Sequence, residues 1–305
     1  MSRYPQPPAW ERPSGVWNAP PARGPARVRV VTDSTATILP GHAQALSLLV
    51  VPNRILLEGR VYRDAIDLTA AQFYARFPRM GLAVATAPAS AEDFYTTYQW
   101  AFAQGATAIV SIHASRRVSQ VFSNAVAARD ALAPAVIDVI DSQLVGVGMW
   151  PAVVRAAKLA SMGASPQAVH ELVVAVLART RLYSLLESLD YVRRGGRSSR
   201  AVHLFGRVMN TYPILTYQGG EAVPVESVRT RRRGLQRMRD LALGQGAIES
   251  LLVCGTSAEW MAQMEAVLTE VYHGPLEKSW LSPTVGVHTG PSVGIGIVQP
   301  LDSGQ

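Results

Sequence analysis

Short apolar runs and longer amphipathic stretches alternate along this chain from residue 28 onward. Residues 28–31, 108–112 and 136–140 are brief runs rich in β-branched side chains. Runs of that length without polar alternation predict parallel strands covered on both faces. Around them the spacing predicts helices over 91–103, 118–132 and 149–161. Ser165 followed by Pro166 is an N-cap with proline at the first helical position, and it predicts a helix running to Ala178. Strand and helix in alternation imply a βαβ architecture.

The pattern changes after Arg179. Residues 191–197 read as a basic glycine turn, and 207–215 as a mixed segment broken by Pro213. Gly219-Gly220 predicts a hairpin turn between strands at 214–217 and 222–225. A helix over 230–243, a strand over 250–254 and a helix over 258–271 follow. Residues 285–298 alternate glycine with β-branched residues, and 294–297 read as extended chain. The expected fold class is α/β, with an N-terminal parallel-sheet domain over 27–180 and a smaller C-terminal α+β domain over 181–305. Residues 1–26 hold seven prolines and no apolar stretch of the kind a secretory signal needs, so they are expected to form an extended, disordered arm.

Composition narrows this picture. A hydrophobic share of 48% with 17% charged residues is that of a globular protein. The longest apolar run, 172–178, lies between Glu171 and Arg179 and falls far short of the roughly 18 residues of a spanning helix. Cys254 stands alone, which excludes an intrachain disulfide and a cysteine-rich zinc site and makes a reducing cytoplasm the expected compartment.

Charge is concentrated. The net charge is +7, yet residues 193–239 carry eleven arginines against Glu221 and Glu226, a local +9 that leaves −2 for the rest. A basic region of this kind attracts nucleic acid, anionic membrane surfaces or acidic proteins. No nucleic-acid motif accompanies it. Arg229, Arg231, Arg232 and Arg233 lie at the start of the 230–243 helix, where cations oppose the helix dipole. They are candidates for docking an acidic partner.

Candidate chemistry gathers at strand ends. Thr32-Asp33-Ser34-Thr35, His113-Ala114-Ser115 and Asp141-Ser142 each close an apolar run. Open α/β sheets bind ligands beyond the carboxyl ends of their strands, so these groups predict either an anion site or caps for the following helices. Gly290-Pro291-Ser292-Val293-Gly294 matches a nucleophile elbow on paper, but extended chain follows it and no histidine lies downstream. His170-Glu171 opens like a zinc-binding H-E-x-x-H, but Val174 stands where the second histidine belongs.

Several segments, in order, resemble the DegV family of fatty-acid-binding proteins. Thr32-Asp33-Ser34-Thr35 is similar to the family's opening signature, and 86–94 (TAPASAEDF) to its T-S-Q-P-S-x-E-D-F segment. Ser111-Ile112-His113-Ala114-Ser115 with Ser119 resembles S-I-H-x-S-S-x-x-S-G-T, and 189–197 (LDYVRRGGR) resembles L-E-Y-L-R-K-G-G-R. Asp141-Ser142, Asn210, Pro213-Ile214-Leu215, Val228-Arg229-Thr230 and His288-Thr289-Gly290-Pro291 complete the series. The resemblance implies a bacterial cytoplasmic carrier, not an enzyme, with no cofactor and no metal. It would hold a long-chain fatty acid in an apolar tunnel between its two domains. It also implies a separate fatty acid kinase that phosphorylates the presented carboxylate, an acyltransferase downstream in phospholipid synthesis, and transient membrane contact.

By the same resemblance Thr86 and Ser115 supply carboxylate-binding hydroxyls, Arg197 and His288 a supporting cation network, and Arg116 and Ser119 flank the site. The chain departs from the pattern at Arg116 (serine in the family), Gln120-Val121 (glycine-threonine), Ala87-Pro88-Ala89 (Ser-Gln-Pro) and Ser292 (glycine). Arg116 either strengthens acid binding or selects a shorter, more anionic ligand. Two other functions fit the residues: an enzyme acting on a small phosphorylated or carboxylated ligand, and a nucleic-acid or membrane-surface regulator.

Overall fold

The computed structural model describes residues 27–38, 40–76, 84–196, 211–244 and 246–301. The proline-rich segment, Arg197 and residues 207–210 lie outside them.

The first half is built on a parallel sheet. Strands β1 (Val28–Asp33), β2 (Leu49–Val51), β6 (Ala108–His113) and β7 (Ile137–Asp141) pair in parallel in the order β2-β1-β6-β7. β1 and β6 are buried at every position, as strands covered on both faces must be. The covering helices are α3 (Ala91–Ala103), α4 (Val121–Ala131), α5 (Trp150–Ser161) and α6 (Pro166–Arg179). Local chemistry starts them where the sequence indicates. Ser90 and Asp93 form a reciprocal capping box on α3, and Ser165 accepts from Ala168 N ahead of Pro166 on α6. Helix α4 begins three residues later than the pattern predicts, because the amides of Val118 and Ser119 turn back onto the Ser115 carbonyl.

Between β2 and α3 the chain forms a small antiparallel sheet that the sequence pattern did not reveal. It comprises β3 (Arg54–Leu57), β4 (Arg60–Arg63) and β5 (Val84–Ala87) in the order β4-β3-β5. The short helix α1 (Pro40–Ala45) precedes β2, and α2 (Ala70–Arg76) lies between β4 and β5.

The second half has fewer residues but the larger sheet. β8 (Thr180–Leu186), β9 (Tyr212–Gln218), β10 (Glu221–Val228), β11 (Ser250–Gly255), β12 (Leu276–Trp280) and β13 (Ser292–Val298) pair in the order β10-β9-β8-β13-β11-β12. All pairs are antiparallel except β11/β12. Gly219-Gly220 makes the β9–β10 turn as expected. Three elements were not anticipated: the central strand β8, the edge strand β12 and the short helix α7 (Asp190–Gly195), the last occupying the segment read as a turn. Residues 285–298 also divide. Helix α10 (Pro283–Thr289) precedes β13, because Pro283 fits the first helical position.

The two faces of this sheet do different work. Leu185, Ile214, Val253, Val293 and Ile295 pack with α8 (Arg231–Leu243) and α9 (Ala258–Thr269) on one side. Leu182, Leu252, Cys254 and Val298 join the core of the parallel-sheet half on the other. The candidate site lies on this second face.

Candidate functional site

The strand ends come first, since they were expected to gather ligand-binding groups. At the end of β1, Asp33 Oδ1 accepts from Thr35 N (2.9 Å), while Oδ2 lies 3.1 Å from His113 Nδ1 and accepts from Ala114 N (3.2 Å). His113 Nε2 lies 2.6 Å from Ser111 Oγ, which accepts from Tyr98 OH at 2.7 Å. Burial pushes the Asp33 carboxyl upward, but the hydrogen bonds and charge of His113 and the Thr35 bonds outweigh it and hold the group below the ordinary carboxylate range. Asp33 and His113 are fully buried. Asp141, the third candidate, holds the 116–143 turns by accepting from Arg116 N and Gln143 N. These groups serve as caps and crosslinks within the fold.

Beyond these ends, between the two large sheets, is a cavity of about 570 Å³. That is within the roughly 300–1,000 Å³ usual for small-molecule sites. Leu186, Leu215, Val192, Val145 and Ala222 give it apolar wall. About half of the lining residues are polar. Thr86, on β5, and His288, on α10, bring Oγ1 and Nε2 to 2.7 Å. The ring of His288 lies against the backbone of Gly195, where a methyl group would come within 2.5 Å of Nδ1. Glycine at 195 is therefore what admits the imidazole, which gives the Arg-Gly-Gly segment a steric purpose.

The other expected site residues are distributed around this pair. Arg116 and Ser119 line the cavity: Arg116 is largely exposed, with Nε 3.3 Å from Asp141 Oδ2, and Ser119 Oγ accepts from Val121 N. Ser115 is fully buried and does not form the wall; its hydroxyl donates to the Gly220 carbonyl at 2.7 Å. Arg117 sits beside it, 3.1 Å from Glu221. Together they tie the β9–β10 turn to the loop after β6. Arg197 lies outside the described residues.

Sequence reasoning missed Asn53, Thr284, Ser184 and Tyr217, all of which line the cavity. Asn53 reaches Asp33, Ser34 and Thr35 and accepts from Ala89 N, so one amide joins two strand ends. A polar residue after the buried Val50-Val51-Pro52 was the available signal. Thr284 Oγ1 donates to Asp64 Oδ2 at 2.6 Å, fixing α10 against the first half.

The arginine cluster is elsewhere. Arg231 pairs with Glu259 (2.8 Å) and lies over Trp260 (5.1 Å). Arg229, Arg232 and Arg233 are exposed and have no ion-pair partner among the described residues. Helix α8, which carries Arg231, Arg232 and Arg233, packs on the sheet face opposite the cavity.

Other chemistry is weaker. Burial pushes the Cys254 thiol up to about 12. Ser292 is buried in β13 and donates to Gly290 O, with no elbow geometry. Among the described residues no group of His, Cys, Asp and Glu could hold a metal ion, and no helix is long and apolar enough to cross a membrane.

A parallel α/β half and a six-stranded half with a cavity between them, apolar on one side and polar on the other, define a two-part α/β fold suited to holding a small ligand that has both characters. A family model described as uncharacterised protein, DegV family, matches residues 27–299, and the chain belongs to that family. It is 31% identical over 280 residues to a DegV domain-containing protein of Streptomyces coelicolor, covering 89% of this chain and 97% of that protein. The corresponding figures for one from Caldanaerobacter subterraneus are 28% over 270 residues, 87% and 96%.

Solved structures share the fold. DegV, a fatty acid binding protein from Bacillus subtilis, superposes with a TM-score of 0.80 at 24% identity, covering 90% of this chain and all of that one. A stearic-acid-binding protein from Eubacterium ventriosum gives 0.77 at 21%, covering 89% and 98%.

Proposed function

We propose that this protein binds a long-chain fatty acid in the cavity and presents its carboxylate to a separate kinase for acyl-phosphate formation. The observation that carries the reading is the Thr86–His288 pair facing a cavity whose other side has an apolar wall of Leu186, Leu215, Val192, Val145 and Ala222. Burying hydrocarbon is worth about 0.8 kcal/mol per methylene, so a ~16-carbon acid offers roughly 11 kcal/mol before the cost of ordering it. The carboxylate then requires donors, because an unpaired buried charge is far costlier than a hydroxyl.

In this reading Thr86 and the Nε2–H of His288 hydrogen-bond the carboxylate, and Arg197, assigned by the family motif alone, supplies the supporting cation. Arg116 and Ser119 stand on the wall where the head group would be reached. Ser115 joins them once its bond to Gly220 is released. The protein is the carrier; the chemistry belongs to the kinase and then to an acyltransferase. Arg229, Arg232 and Arg233 offer an acidic partner a cationic surface on the back of the sheet, with Arg231 held by Glu259. A cytoplasmic location suits such an exchange.

The test is mass spectrometry of an organic extract of the purified protein, alongside fatty-acid binding by Thr86→Val and His288→Gln. A co-purifying C14–C18 acid is expected, with retention lost in either variant. Parental retention in both variants would show that the carboxylate is held elsewhere.

A further inference from the structure

The hydroxyls facing the cavity fall into two groups. Most are already engaged. Thr35 Oγ1 accepts from Asn53 Nδ2 (3.0 Å), and Thr86 meets His288. Ser119 accepts from Val121 N, Thr284 donates to Asp64, and Thr289 Oγ1 is 3.0 Å from Ser292 Oγ. Ser184 Oγ and Tyr217 OH differ. Both line the cavity, and neither hydroxyl has a hydrogen-bond partner among the described residues.

These two belong to one patch of wall. Ser184 on β8 is opposite Leu215 on β9, and Tyr217 is two residues beyond Leu215 on the same face. That makes them a diagonal cross-strand pair, roughly 7–8 Å apart at the backbone. On its other side Ser184 is opposite Gly294, which has no side chain to cover it. The surrounding wall is Leu186, Leu215 and Ala222. Burial raises the Tyr217 phenol above its ordinary value, so it remains a neutral donor.

A plain acyl chain on this wall would strip water from both hydroxyls and return nothing, and an unpaired buried hydroxyl is unfavourable. A chain bearing its own hydroxyl would pair with them. We propose that the cavity is selective for a hydroxylated long-chain acid, whose chain hydroxyl meets Ser184 and Tyr217 while its carboxylate occupies the Thr86–His288 end. This rests on the fatty-acid reading above and names the class of acid.

The experiment is titration calorimetry of the parent and of the Ser184→Ala/Tyr217→Phe double variant. The ligands are hexadecanoic acid and a series of its monohydroxy derivatives differing in hydroxyl position. At least one positional isomer should bind the parent about two- to tenfold more tightly than hexadecanoic acid. The double variant should lose that preference yet bind hexadecanoic acid at least as tightly as the parent does. If no isomer outperforms hexadecanoic acid, the selectivity is refuted and the fatty-acid reading survives. If the double variant loses hexadecanoic acid as well, the pair holds the carboxylate and the inference is equally overturned. A parent that binds none of these acids would overturn the fatty-acid reading itself.

Discussion

Two buried aspartates in the first half are shifted in opposite directions, although burial raises both. Asp33 is held low by His113 and Thr35 despite burial. Asp64 is raised: burial dominates, and the hydroxyls of Ser34 (2.9 Å), Ser282 (2.7 Å) and Thr284 (2.6 Å), all donating to Oδ2, offset it only in part. Its Oδ1 is buried without a partner among the described residues. A raised carboxyl means that the folded state holds the proton more tightly than the unfolded one. Asp64 therefore stabilises the fold in acid, and that contribution is lost as pH rises from the ordinary value near 4 through the raised one. For the lowered Asp33 the stabilisation is present above the ordinary value and lost as pH falls through the folded one. In Asp64→Asn the melting temperature should accordingly climb more steeply, or fall less, between about pH 4 and 7 than in the parent. Asp33→Asn should be impaired relative to the parent at neutral pH, with the gap closing in strong acid. Melting curves collected across pH check both, and profiles parallel to the parent would refute the assignment.

Among the elements, the β9–β10 hairpin shows how a turn residue can be fixed by a contact far along the chain. Gly220 has φ of +84°, and a methyl group there would come 2.6 Å from Ser115 Oγ and 3.2 Å from Arg117 Cδ. Backbone strain of this sort costs about 1–3 kcal/mol, before the lost Ser115 bond is counted. Gly220→Ala should thus lower the melting temperature by several degrees; an unchanged transition would mean that the turn relaxes freely. The glycine pair made this hairpin legible in the sequence, but its anchor on Ser115, 105 residues earlier, was not. The same contrast runs through the fold. Helices with strong caps, at Ser90, Ser165 and Thr230, could be read from local chemistry. Strands β3 to β5 are four residues each, and β3 and β4 mix arginine with apolar positions, so no periodicity accumulates. β8 follows α6 directly, Arg179 to Thr180, without a glycine or proline to mark the change. At the site, Thr86 and His288 could be paired beforehand only through the family's motifs. Ser184 and Tyr217 are single polar residues in otherwise ordinary strands, and which face they share became visible only with the register.

At the scale of the whole molecule, the cavity depends on two halves staying together, and two kinds of contact join them. One is polar: Glu249 lies 2.6 Å from Arg155 and 2.8 Å from Arg179, which come from α5 and α6. The other is the shared apolar core, where Leu252, Cys254, Val287 and Val298 pack with the first half. The ion pairs are partly solvated, and such pairs contribute about 0–1 kcal/mol and weaken with salt. The apolar seam should dominate. The arginines of α8 are on the far side of the sheet, so Arg232→Glu with Arg233→Glu should leave acid affinity unchanged while slowing association with an acidic partner at low salt. Parental association rates in that variant would refute docking there. A ligand that touches both sheets adds to the seam by mass action, and free acid at 100 times its Kd stabilises the bound fold by about 2.7 kcal/mol. If the halves unfold as one unit, acid should shift a single thermal transition upward. Glu249 does not line the cavity, so Glu249→Gln should start slightly lower, by an amount that shrinks with added salt, and show the same ligand-induced shift. Loss of that shift in Glu249→Gln would mean that the ion pairs, not the apolar wall, couple the halves around the ligand.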